Sequence, residues 1–263
     1  MEKAAPWSNA GAYELYVGRW SRNVAAQFLD WLHVPPGGHW LDVGCGTGAL
    51  SQAILDRFLP KQVTGIDLSE AYVQYARAHV RDARVEFRTG DARALPIEAA
   101  SADVAVSGLA VNFVPQPGDA ASEMARVVRP GGTVAAYVWD YSEGMQFMRY
   151  FWDAAIALDH AAAELDEGPL FPVCRRDGLR DLFGAAGLQR VDARAIEIPT
   201  HFRSFEDYWQ PFLGAQGPAP RYLASLNEDR RAALKEHLRS MLPAAPDGSI
   251  ALIARAWAAR GER

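Results

Sequence analysis

Cysteine is nearly missing from this chain: Cys45 and Cys174 are the only two in 263 residues. Two thiols, one of them wedged between glycines, build neither a disulfide framework nor a four-ligand zinc site, and they suit a reducing, cytoplasmic setting. No apolar run approaches the ~18 residues that cross a bilayer. The opening Met1-Glu2-Lys3-Ala4-Ala5-Pro6-Trp7 is not followed by the apolar core of a secretory leader, so no membrane is expected. Basic charge is in deficit, with 27 Lys and Arg against 32 Asp and Glu for a net charge of −5. Without a broad basic face to release counterions, a nucleic-acid partner is not expected either. The six histidines are scattered, with no pair at i, i+4 and no carboxylate cluster beside them, so no metal site is expected. What is plentiful is apolar content, 49%, enough for one domain over 1–263 to bury a core without staples.

Between about 39 and 139 a short β-rich run, a turn signal and a helix-period segment recur, which is the cadence of βαβ winding. His39 to Val43 reads as a first strand, followed by glycines and by a helix with Leu50, Ile54 and Phe58 on one stripe. Gln62 to Asp67 reads as the second strand, and Ser69 can cap a helix burying Tyr72, Ala76 and Val80. Arg84 to Arg88 and Ala102 to Ser107 are the third and fourth strands. Pro117 opens a helix that ends at Arg129-Pro130-Gly131-Gly132, and Thr133 to Trp139 is the fifth strand. Further on, helices are expected over 144–163 and 175–186, a strand over Gln189 to Ile198, and a largely helical stretch over 204–242. Ile250 to Trp257 reads as a last strand, apolar on both faces and buried on both.

The richest stretch is Leu41-Asp42-Val43-Gly44-Cys45-Gly46-Thr47-Gly48-Ala49, a strand end opening a helix, where an open α/β sheet binds nucleotide-like ligands. Gly44 and Gly46 permit a tight turn and close approach, and the helix start offers N–H groups to an anion. Asp67, at the end of the second strand, stands where a carboxylate would take ribose hydroxyls. Up to here a dinucleotide and another adenosine cofactor fit alike. Asp42, two residues before the glycines, is unwelcome beside a pyrophosphate and welcome beside a cation. Gly90-Asp91-Ala92 follows the third strand, where the Asp91 carboxylate can accept from an adenine amine while the Ala92 N–H donates to the ring.

Together, Leu-Asp-Val-Gly-Cys-Gly-Thr-Gly at 41–48, Gly-Ile-Asp-Leu-Ser at 65–69, Gly-Asp-Ala at 90–92 and Arg-Pro-Gly-Gly at 129–132 resemble a class I S-adenosylmethionine-dependent methyltransferase. The resemblance implies a Rossmann-like α/β fold: a seven-stranded mixed sheet of order 3-2-1-4-5-7-6 with strand 7 antiparallel, helices on both faces and a helical cap. It implies S-adenosyl-L-methionine as cofactor and S-adenosyl-L-homocysteine as product. The methionine end would lie on Gly44, Cys45 and Gly46 with Asp42 behind them, and the ribose on Asp67. Leu68 would cover the adenine face, Asp91 and Ala92 would read its edge, and Ser107 and Leu109 would border the methionine chain. Tyr13 to Ser21 resembles a segment ahead of the first strand in small-molecule members, where Arg19 would grip the cofactor carboxylate and Tyr13 or Tyr16 close over the site.

The implied organisation has 1–35 as an N-terminal helical segment covering the cofactor, with 140–175 and 199–247 as cap insertions. Phe147, Tyr150, Phe151, Trp152, Phe202, Phe205, Tyr208, Trp209 and Phe212 are expected to form the core of that cap. A small-molecule acceptor is expected, methylated on O, N or C, with oligomeric state unspecified. No catalytic base is singled out; His160 and His201 are the candidates. A nicotinamide-dependent oxidoreductase and a non-catalytic S-adenosylmethionine binder are the alternatives.

Overall fold

The computed structural model describes residues 19–214 and 217–263, the side chain of Arg19 excepted. Tyr13 and Tyr16 therefore lie outside the described residues, as does the Arg19 side chain. In chain order the elements are α1 (Arg19–Leu32), β1 (His39–Val43), α2 (Ala49–Phe58), β2 (Gln62–Asp67), α3 (Glu70–His79), β3 (Val85–Thr89), β4 (Ala102–Gly108), α4 (Pro117–Val127) and β5 (Val128–Trp139). Then follow α5 (Gln146–Leu158), α6 (Glu167–Leu170), α7 (Gly178–Ala185), β6 (Gln189–Phe202), α8 (Phe205–Trp209), α9 (Pro218–Ser225), α10 (Glu228–Met241) and β7 (Ile250–Glu262).

The seven strands form one sheet of order β3-β2-β1-β4-β5-β7-β6, the order expected from the sequence. β1, β2, β3, β4 and β5 pair in parallel. β7 runs against β5: the Arg263 N–H donates to the Gly132 carbonyl (3.1 Å) and the Asp140 N–H to the Arg255 carbonyl (2.9 Å). The sheet is therefore mixed.

Three local expectations are corrected. Arg129-Pro130-Gly131-Gly132 is no helix-ending turn but a bulge inside β5, because Ala102 pairs with Val128 and Val104 already pairs with Thr133. Arg129 is tied to Asp103 by an ion pair, and Asp103 also accepts the His39 N–H (2.7 Å). A proline and a positive-φ glycine are at home in a bulge, where ladder hydrogen bonds are interrupted. β7 extends to Glu262, and over Ile250–Ala254 it alternates in burial, with Ile253 43% exposed, so one face is open there, while Ala258 and Ala259 further on are both buried. The stretch 144–163 breaks at Leu158 into a 3-10 turn over His160–Leu165.

The chain divides into two compact units. One comprises Ser21–Val138, Val173–Ile196 and Ala256–Arg263. Its core is the apolar row of β1, β4 and β5 with the stripes of α1 to α4, including Val24, Phe28, Leu41, Ile54, Val73, Val106 and Met124. The last carbonyls of α1, orphans at any helix end, are met by Arg260, which donates to Trp31 (3.1 Å) and Leu32 (2.7 Å). The other comprises, among the described residues, residues 19–20, Trp139–Pro172 and residues 197–214 and 217–255. Aromatic rings fill it: Phe147 stands 4.5 Å from Phe212, 5.5 Å from Phe202 and 5.3 Å from Tyr208 and Trp20, centroid to centroid. Tyr208, wholly buried, satisfies its hydroxyl by donating to the Phe147 carbonyl (2.8 Å). The aromatics of this stretch are core, as the sequence reading has them, except Tyr150, which is half-buried.

Candidate cofactor site

The glycine loop joins β1 to α2, and its shape follows from three left-handed residues, Gly44 (φ +74°), Gly46 (φ +51°) and Gly48 (φ +85°). At Gly44 a Cβ would stand 2.4 Å from the Ala110 Cβ, so the loop after β4 presses directly on the glycine turn. At Gly46 a Cβ would meet nothing within 4 Å. The first glycine is needed for packing, and the second faces open space.

The N–H groups of this loop are spent internally. Gly44 and Cys45 both donate to the Ile66 carbonyl (2.7 and 3.0 Å), and Gly46 donates to Asp67 Oδ2 (2.9 Å). These three N–H groups are therefore not open to an anion, and the N–H groups expected to face one are those at the start of α2. The other Asp67 oxygen takes the Ser69 N–H (2.8 Å), and Ser69 caps α3. Asp67 is both a cap and the clamp that sets the glycine turn. Burial raises its pKa, and the two backbone donors lower it.

Asp42 lies behind the loop, wholly buried on β1. Ser51 Oγ, on α2, donates to its Oδ2 (2.6 Å), while Oδ1 has no partner. Burial pushes Asp42 up to about 7; the Ser51 hydroxyl works against this, and the charge of Asp67 adds to it. A buried carboxyl with a spare acceptor beside a second carboxylate fits a ligand that carries positive charge and N–H donors. The same field, together with burial as the larger cause, drives the Cys45 thiol well up, which removes it as a nucleophile.

Leu68, next after Asp67, is 72% exposed, an apolar face left open at the strand end. Asp91 and Ala92 follow β3, half-buried. Asp91 is held by Arg93, whose Nη2 donates to Oδ2 at 2.6 Å and whose backbone N–H donates to Oδ1 at 2.9 Å. These bonds hold the Asp91 carboxyl below the usual carboxylate range. Ser107 is buried at the end of β4. Leu109 adopts a left-handed φ of +57°, fixed by its N–H donating to the Tyr137 carbonyl (2.8 Å), a strained conformation of the kind that collects at ligand sites.

The structure therefore gathers Asp42, Gly44, Cys45, Gly46 and Asp67 in one linked cluster, and Leu109 joins it through its neighbour Ala110. Sequence reading missed Ser51, Arg93 and Asn112, a buried amide in the turn after β4 whose Nδ2 has no partner. Only Arg93 left a signal, a cation two residues from Asp91. His160 and His201 are exposed. Among the described residues no group of three or more His, Cys, Asp or Glu could hold a metal ion, and no helix is long and apolar enough to cross a membrane.

A family model described as a methyltransferase domain matches residues 41–136. The chain is 30% identical over 187 residues to 2-methyl-6-phytyl-1,4-hydroquinone methyltransferase of Synechocystis sp., covering 70% of this chain and 57% of that protein. It is 38% identical over 127 residues to malonyl-[acyl-carrier protein] O-methyltransferase of Salmonella typhimurium, 48% of this chain and 49% of that one. For 24-methylenesterol C-methyltransferase 2 of Oryza sativa the match is 39% over 114 residues, 42% and 31%. The chain thus spans between about a third and just over half of these relatives' lengths. Among solved structures, Haemonchus contortus phosphoethanolamine N-methyltransferase 2 in complex with S-adenosyl-L-methionine superposes with a TM-score of 0.60 at 18% identity, over 96% of this chain and 56% of that one. The [4+2]-cyclase SpnF superposes at 0.54 and 20% identity, over 93% and 80%. With the sheet order, the glycine loop and its two carboxyls in place, the chain carries a class I S-adenosylmethionine-dependent methyltransferase domain of Rossmann-like fold.

Proposed function

We propose that this chain transfers the sulfonium methyl group of S-adenosylmethionine to a small-molecule acceptor in the cytoplasm. One observation carries the reading: the glycine loop spends its N–H groups on Ile66 and Asp67 while Asp42 keeps an unpartnered buried oxygen. That arrangement repels a pyrophosphate and suits a cationic amino-acid end, which disfavours a nicotinamide dinucleotide. Relatives named for a sterol, a hydroquinone and a malonyl-[acyl-carrier protein] support a small acceptor over a nucleic acid.

Bound S-adenosylmethionine supplies an activated methyl group on a positively charged sulfur, whose departure leaves a neutral thioether. Asp67, oriented by the Gly46 and Ser69 N–H groups, would accept from the ribose hydroxyls, and Asp42 Oδ1 from the amino-acid ammonium. Leu68 would lie on the adenine face, with Asp91 and Ala92 at its edge. Ser107 and Leu109 would border the methionine chain, Arg19 would pair with its carboxylate, and Tyr13 would close over it. Aligning the acceptor lone pair with the methyl group and excluding water would supply the rate.

Calorimetry with S-adenosylhomocysteine and NAD tests this directly. The expected result is micromolar binding of the first and none of the second; NAD binding without S-adenosylhomocysteine binding overturns the reading. The shared fold of a [4+2]-cyclase marks a second reading, a cofactor binder that moves no methyl group. Tight S-adenosylhomocysteine binding with no methyl transfer to any small molecule of a cell extract, followed with isotope-labelled cofactor, would favour it.

A further inference from the structure

Away from the glycine loop, an acidic pair is buried in the aromatic unit. Asp166 N-caps α6, its Oδ1 accepting the Gly168 N–H (2.9 Å). The same carboxylate takes two bonds from Arg149 of α5, Nη1 to Oδ1 at 2.6 Å and Nη2 to Oδ2 at 2.9 Å. Glu167, the next residue, accepts the indole N–H of Trp152, three residues beyond Arg149 on the same helix. Around them Arg149 donates to the Tyr141 carbonyl (3.1 Å) and Ser142 to the Gly168 carbonyl (3.2 Å). A Cβ on Gly168 would stand 3.2 Å from the Tyr141 carbonyl oxygen and from Ser142 Cα, so the contact is tight. Asp166 is matched by a guanidinium; Glu167, equally buried, has the neutral indole and its own backbone N–H.

We propose that this pair is a proton-gated clasp, in which neutral Glu167 holds residues 159–172 against α5 and loss of its proton to solvent lets that segment open. Burial pushes the Glu167 carboxyl up from 4.5 to about 8, with Asp166 adding to the rise and the Trp152 N–H and Arg149 opposing it. The other charged or titratable groups around it are Asp153, paired with Arg149 at 3.1 Å, Asp159, paired with Arg230 of α10 at 3.8 Å, and Tyr222 of α9, whose ring lies 5.8 Å from that of Trp152. Once open, Glu167 meets water and returns to its ordinary range. Between about pH 5 and 8 the open segment therefore releases a proton that the closed one keeps, and each pH unit multiplies the opening constant by about ten. Above about 8 both forms are ionised and the dependence levels off. The clasp does not involve the cofactor, so it stands apart from the methyltransferase reading.

Native-state hydrogen exchange on the full chain, corrected for intrinsic rates, reads the opening of peptides within 159–172 at pH 6, 7, 8 and 9. The expected result is an opening constant rising about 50-fold from pH 6 to 8 and at most about twofold beyond, with Glu167→Gln flat. Arg149→Met should open more at every pH with the wild-type slope. An infrared carbonyl band of a protonated buried carboxyl, present at pH 7 and gone well above pH 8 in the wild type, gives a readout that needs no variant. A flat wild-type profile, an unchanged slope in Glu167→Gln, or no such band at pH 7 overturns the proposal.

Discussion

Gly44 and Gly46 are two residues apart, share a left-handed backbone, and should fail in different ways when each is replaced by alanine. The backbone term is common to both: an L-residue held left-handed loses about 1–2 kcal/mol. At Gly44 a second term follows, because the new methyl would lie 2.4 Å from the Ala110 Cβ, far inside the ~3.5–4.0 Å of carbon contact. Overpacking of that kind typically costs about 1–3 kcal/mol, for a total of roughly 2–5 kcal/mol. At ~2–4 °C per kcal/mol for a chain of this size, Gly44→Ala should melt on the order of 5–15 °C below wild type. Gly46→Ala meets no atom within 4 Å, so it should lose only the backbone term. Its methyl instead enters the open space beside Asp67, and S-adenosylhomocysteine binding should weaken at least tenfold. Circular-dichroism melts and calorimetry on the two variants decide the matter. Equal melting temperatures for the two, or full affinity in Gly46→Ala, would refute the division into a packing glycine and a ligand glycine.

Asp42→Asn should change the pH profile of stability. The folded-state pKa is raised from 3.8 to about 7, so the unfolded chain gives up its proton first, and wild-type stability falls by up to about 4 kcal/mol from pH 4 to 7 and is flat above. Urea unfolding at several pH values should show that slope missing in the variant; an unaltered slope assigns it elsewhere. Ser51→Ala removes the hydroxyl that supports Asp42 Oδ2 and should destabilise by about 1–3 kcal/mol, more at pH 8 than at pH 5, in the same measurement. Asp67→Ala should lower S-adenosylhomocysteine affinity by about 2–4 kcal/mol, since hydrogen bonds to a charged group contribute roughly 1.5–3 each. An unchanged dissociation constant would reduce Asp67 to its role in holding Gly46 and Ser69.

The residues legible from sequence are those fixed by local structure. A strand ending in Asp42-Val43-Gly44 and a strand ending in Asp67-Leu68-Ser69 must deliver their last side chains to one edge of a parallel sheet, whatever the rest of the chain does. What the sequence hid depends on distant pairing. That Gly44, Cys45 and Gly46 would spend their N–H groups on Ile66 and Asp67 follows from contacts some twenty residues away. Ser51 reaches back from α2 to Asp42 on β1 only once the glycine turn between them has folded. Arg129-Pro130-Gly131-Gly132 has turn composition, and only the pairing of its flanks with Ala102 and Val104 makes it a bulge. The last strand reads as ending at Trp257, whereas it runs on to Glu262, and Arg260 in the added part is held by the end of α1.

The place of β7 between β5 and β6 also bears on how the chain is made. Strand β6 is synthesised well before β7, yet its sole neighbour in the sheet is β7, so at ~5–20 residues per second it waits some seconds on the ribosome with both edges unpaired. The outer edge of β5 waits still longer. Exposed strand edges invite pairing with other chains, and β6 carries Arg190, Asp192, Arg194 and Glu197 at alternate or near-alternate positions, charges that hinder the approach of a second strand. Closing the sheet therefore waits for β7, and a nascent chain stalled before Ile250 should be the form that chaperones recognise.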